Sequence, residues 1–173
     1  MTDVPGRTPS RFPISKVESV RRAIGEKLHE LNGQHGFCSA ARGSDLLFIE
    51  EMLRRHAKIH VFLPFSRTDF MSSSVGYGWN ERYNQALHNT DVEVMVLAER
   101  RPGDHDQENA AYAACNAAIF EAAIAQARLA GTKPVLLAVW NGNPGDGTGG
   151  TADAVRNWKS QGNLVEVIDI ANL

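Results

Sequence analysis

Twice in this chain a short apolar run ends in a loop of small residues that opens straight into a helix-patterned segment. The first loop is Cys38-Ser39-Ala40-Ala41-Arg42-Gly43-Ser44-Asp45, followed by a periodic run from Leu46 to Leu53. The second spans residues 143–153, with Gly145, Gly147, Gly149 and Gly150 among its residues, and is followed by Ala154 to Trp158. A loop without bulky side chains lets a ligand approach the backbone, and a helix start offers unpaired N–H groups and a partial positive charge. Two such junctions in one chain point to an α/β domain with a site for a phosphate-bearing small molecule, a nucleotide above all.

The rest of the pattern fits that class. Residues 1–14 hold Pro5, Gly6, Pro9 and Pro13 and cannot form a regular helix or a central strand. Ser15 with Glu18 reads as a capping box for a helix carrying Val17, Val20, Ile24, Leu28 and Leu31, which Asn32-Gly33 ends. Apolar runs predict strands near 36–40, 58–64, 92–98, 134–140 and 164–170. Between them, helices are expected over 44–56, 66–73, 78–88, 108–129 and 151–160, with 99–107 an exposed loop. This alternation implies a three-layer Rossmann-like α/β domain with one parallel sheet of about five strands, covered on both faces. Right-handed crossovers gather the strands' C-terminal ends on one edge, where ligands bind in such folds. Both small-residue loops fall there, as do residues 64–68 and 99–104.

Composition narrows the function. A length of 173 residues suits a single domain over 1–173, large enough to bury a core without disulfides. A net charge of −2 supplies no basic face, so nucleic acid is not the expected partner. Cys38 and Cys115 lack metal spacing and the six histidines are scattered, so neither a metal nor a cofactor is expected. No apolar run approaches the roughly 18 residues of a membrane span, and no signal-peptide pattern opens the chain. The expectation is a cytoplasmic protein in a reducing compartment, with no membrane partner.

In the first loop, Ser39, Gly43 and Ser44 are candidate phosphate or ribose contacts, and Gly43 would allow close backbone approach. Arg42 reads either as a bidentate phosphate clamp or as a solvated loop charge. Asp45 reads as a ligand contact or a helix cap. The loop lacks the full dinucleotide fingerprint, and the chain has no lysine-containing phosphate loop. The second loop, with five glycines counted from Gly142, is longer than a strand-to-helix connection needs. It is either a flexible excursion or a ligand cradle, with Thr148, Gly149, Gly150 and Thr151 leading into the helix start. Arg67, just past a strand's C-terminal end, is a further phosphate candidate or a surface charge. Trp79 and Tyr83 lie one helical turn apart and read as core. Tyr112 and Asn116 also lie one turn apart, and Asn116, an amide among alanines, is suited to holding a loop or a base edge. Cys38 reads as a buried hydrophobe or an activated thiol.

Taken as a set, several motifs resemble the SLOG superfamily of nucleotide-sensing domains related to the lonely-guy phosphoribohydrolases. They are the stretch from Cys38 to Glu50, Leu63-Pro64-Phe65, Trp79-Asn80-Glu81-Arg82-Tyr83, Val139-Trp140-Asn141-Gly142 and Thr148-Gly149-Gly150-Thr151-Ala152-Asp153. Asp3, Pro5-Gly6-Arg7 and Arg11-Phe12-Pro13 are similar to the start of bacterial SLOG-like signalling modules, and the likeness covers nearly the whole chain. It implies a sensor for a nucleotide or nucleotide-derived ligand, with a fused or partner signalling domain. Two departures stand out. Such domains open with a hydrophobic strand, which Met1-Thr2-Asp3 does not supply. The phosphoribohydrolases also carry a glutamate just inside the helix after the second loop, where this chain has Thr151-Ala152-Asp153-Ala154-Val155. The alternative of a nucleotide N-glycosidic hydrolase or transferase therefore falls to Asp153, with Asp45 and Glu50 as further candidates. A third reading is an oligomerising interaction module. A homo-oligomer is expected through the alanine-rich helix 108–129.

Overall fold

The computed structural model describes residues 1–3, 6–8, 10–144 and 150–173. Five strands and six α-helices alternate along these residues: α1 (Val17–Leu31), β1 (His35–Cys38), α2 (Ser44–Arg54), β2 (Lys58–Leu63), α3 (Arg67–Phe70), α4 (Asn80–Leu87), β3 (Val92–Val96), α5 (His105–Leu129), β4 (Val135–Trp140), α6 (Thr151–Ser160) and β5 (Leu164–Asp169). Every strand pairing is parallel.

The single sheet of about five strands is corrected. The strands form two sheets, one of three strands in the order β1-β2-β3 and one made of β4 and β5. Between β1 and β4 lies a cavity of about 440 Å³, lined by residues of both strands. Apolar periodicity identifies strands but carries no information on which become neighbours. Here bulky side chains from both helical layers, Phe48 and Met52 of α2 and Ile119 and Phe120 of α5, border the space between the two edges.

Alternation along each strand sends side chains into two cores. Ile59, Val61 and Leu63 of β2 join Val20, Ile24 and Leu28 of α1 and Leu46, Leu47, Ile49 and Met52 of α2. Phe62 of β2 points to the opposite face and packs with Cys115, Ile119 and Phe120 of α5 and Trp158 of α6. Helices therefore cover both faces. Gly25 shows how closely α1 and α2 approach, since a Cβ there would sit 3.1 Å from the Glu51 carboxylate. Among the described residues, no helix is long and apolar enough to cross a membrane.

Two helix starts differ from the sequence reading. Ser15 does not cap α1, because a 3-10 turn over Ile14–Lys16 precedes the helix and absorbs it. Helix α5 begins three residues before 108, where the Asp104 side chain accepts from the Gln107 N–H at 3.0 Å. This is an N-cap hidden in a charged stretch.

Candidate functional site

The first junction is a knot of backbone contacts. After β1 the chain turns through Ala40, fully buried at φ +61, a conformation that side chains rarely adopt. The Arg42 N–H donates to the Ser74 carbonyl at 3.0 Å, and the Thr2 N–H donates to the Arg42 carbonyl at 3.3 Å. The Arg42 side chain is buried; its Nε donates to the Thr2 carbonyl at 3.1 Å and its Nη1 to the Val75 carbonyl at 3.3 Å. Its guanidinium carbon lies 5.0 Å from the Tyr77 ring centroid. Burial lowers its pKa, but a guanidinium keeps its proton at neutral pH.

Gly43 has φ +92, and an added Cβ would lie 2.7 Å from the Thr2 backbone nitrogen and 3.2 Å from the Phe12 ring. The glycine thus has a packing reason: it lets the N-terminal segment lie across the start of α2. Asp45 turns back and accepts from the Ala41 N–H at 3.2 Å, with its carboxyl raised above the ordinary range by burial.

The N-terminal segment is itself folded around Asp3. Its carboxylate accepts from the Ser10 hydroxyl at 2.6 Å and from the N–H groups of Arg11 and Phe12 at 2.9 and 3.0 Å, and Arg7 Nε lies 3.7 Å away. Burial pushes this carboxyl up, but the hydrogen bonds and Arg7 outweigh burial and hold it below its ordinary value.

Between this segment, the starts of α2 and α6 and the end of β4 lies a cavity of about 310 Å³, lined by both apolar and polar groups. Arg7, Arg11 and Arg42 line it from one side, with Ser44 at the start of α2 and Gly150, Thr151 and Ala152 at the start of α6. Asn109 and Tyr112 of α5, Trp140 at the end of β4 and Asn141 and Asn143 after it also line it. The Trp140 indole N–H donates to the Asn143 carbonyl at 2.7 Å and steadies that turn. Gly150 precedes α6 in an extended conformation, and among the described residues no side chain caps this helix. A helix start of this kind is where backbone N–H groups are offered to an anion.

Of the residues singled out from sequence, Arg42, Ser44, Gly150 and Thr151 line this cavity together. Thr148 and Gly149 lie outside the described residues. Ser39 and Asp45 border instead the cavity between β1 and β4, with Ser39 Oγ 3.8 Å from Cys115 Sγ. Arg67 is exposed on α3 and lines neither cavity. Asp153 lines neither, and its carboxylate accepts from Arg156 at 3.4 Å. Glu50 forms a bidentate pair with Arg82, both contacts at 2.6 Å, and Arg82 lies over the Trp79 ring at 4.2 Å. Trp79 and Tyr83 are core. The Tyr112 hydroxyl lies 2.8 Å from Ser74 Oγ and 3.2 Å from Ser73 Oγ, on the π-helical turn Met71–Val75 rather than on a loop. Burial pushes the Cys38 thiol well up and the Cys115 thiol up to about 11, so neither is an activated nucleophile.

Arg7 and Arg11, part of the likeness at the start of the chain, are not among the expected ligand contacts. They sit in a Pro-rich stretch with no periodicity, and only the folding of that stretch around Asp3 brings them to the site. No protein-family model matches this chain, and no curated protein matches it.

Proposed function

We propose that this chain binds a nucleotide or nucleotide-derived signalling ligand in the arginine-lined cavity, as a sensor module of the SLOG type. The observation that carries this reading is the convergence of Arg7, Arg11 and Arg42 with the start of α6 on one cavity. Guanidinium groups and helix N-termini both bind phosphate, and here they share one space. Asn109, Asn141 and Asn143 add amide donors and acceptors suited to ribose or a base edge. In this reading the domain is Rossmann-like, with β5-β4 standing beside β1-β2-β3 as one interrupted layer and the ligand at its C-terminal edge.

Binding is favoured over N-glycosidic hydrolysis. Asp3 is the one carboxylate among the described lining residues, and it is spent on folding its own segment.

Calorimetric titration of the chain with AMP, ADP, NAD and ADP-ribose tests the proposal. At least one is expected to bind, and Arg11→Ala should weaken that ligand tenfold or more, equivalent to about 1.5–3 kcal/mol for a charge-assisted contact. Arg42 is less suitable for this test, since its removal also strips two backbone carbonyls of their donor. Absence of binding across the panel would overturn the reading.

A further inference from the structure

The space between β1 and β4 has the chemistry of a vacant strand position. Its roof is Ile24, Leu28 and Met52, and its floor is Ile119, Phe120 and Trp158. A small apolar molecule would suit those surfaces, but the two sides are strand edges. β1 uses one edge on β2: the Lys58 N–H donates to the Gln34 carbonyl at 2.9 Å, and Phe37 is in register with His60. Strand alternation then turns the N–H and C=O groups of His35 and Phe37 to the other edge, toward β4. β4 uses one edge on β5 along all of Val135–Trp140 and presents the other toward β1.

Two such edges facing each other across an apolar space set a narrow specification. Water satisfies the edges but not the apolar surfaces, and a hydrocarbon chain does the reverse. An occupant must be apolar above and below while carrying donors and acceptors along both sides. An extended polypeptide does both, as central strands of parallel sheets do. We propose that the gap between β1 and β4 receives an extended apolar peptide strand of about five or six residues from a partner polypeptide, which joins the two sheets into one.

The test uses the whole chain and a valine- and isoleucine-rich hexapeptide carrying a lysine tail for solubility. Amide hydrogen exchange is read residue by residue, with and without peptide. Addition of peptide should slow exchange at His35 and Phe37 at least tenfold and raise Tm. A hexapeptide of similar hydropathy with prolines at alternate positions, which lacks the N–H donors, should do neither. Ala123→Phe, which fills the gap from α5, should remove the peptide's effect.

Four results would overturn the proposal. One is protection of His35 and Phe37 in the free chain equal to that of β2, which means that β1 and β4 pair directly. The others are no change on adding peptide, equal effects from the proline peptide or from dodecanoate, and an undiminished effect in Ala123→Phe.

Discussion

At the start of α2 the loop is consumed by the fold, whereas the start of α6 lines the cavity with Gly150, Thr151 and Ala152. Both segments follow a strand and are rich in small residues, and both precede a helix with an acidic residue in its first turn. Around Gly43 the neighbours are protein: Thr2 and Phe12 lie over the glycine, Ser74 takes the Arg42 N–H, and Asp45 folds back on Ala41. At Gly150 the backbone is extended and Thr151 stands exposed at the cavity wall. The lesson is that a small-residue turn identifies where a backbone must be approached closely. What approaches it can be another part of the same chain.

That contrast can be broken in stages. The largest effect is expected from Gly43→Val. A side chain at φ +92 meets the Thr2 backbone, so the variant should lose about 3 kcal/mol of stability, roughly 6–12 °C in Tm. Loss of ligand binding with an unchanged Tm would show instead that the glycine serves the ligand.

Thr151→Pro probes the other junction. Proline is tolerated at the first helical position, and the extended Gly150 before it, with φ −80 and ψ 174, is compatible with it. Stability should stay within about 0.5 kcal/mol, while loss of one N–H weakens nucleotide binding roughly fivefold, about 1 kcal/mol. A thermal melt and a titration of the same preparation separate the two.

The smallest effect concerns Asp3, which holds the segment covering Gly43. Its carboxyl is depressed in the folded state, so its stabilisation is complete above the ordinary carboxylate pKa of about 3.9 and is lost as pH falls through the folded value. In Tm measured from about pH 6 to pH 2.5, Asp3→Asn should flatten the fall below about pH 4. An unchanged acid limb would mean that the carboxylate does not hold the segment.

Local order was legible in the sequence wherever one segment decides it. The bounds of α6 follow from Gly150 and the apolar spacing of Ala152, Val155 and Trp158, all of which lie on its packed or half-buried side. The strand bounds of β2, β4 and β5 agree within a residue because each is an apolar run between turn residues. Lateral pairing was not legible, since whether β1 meets β4 depends on what helices distant in sequence place between them. For the same reason the site was only half visible. Ser44 and Thr151 announce themselves at helix starts, whereas Arg7 and Arg11 reach the cavity through the turn that Asp3 closes across eight and nine residues.

Helix α5 has 25 residues and is about 37 Å long, while the six residues of β2 extend only about 20 Å. Its first turns reach the wall of the arginine-lined cavity through Asn109 and Tyr112, and its last residue, Leu129, is 85% exposed at the far end. A rod longer than the layer that supports it has the proportions of a lever. Were α5 to pivot by about 3° about its first turn, its distant end would move by about 2 Å, so a small change at the cavity would be read as a larger one at Leu129.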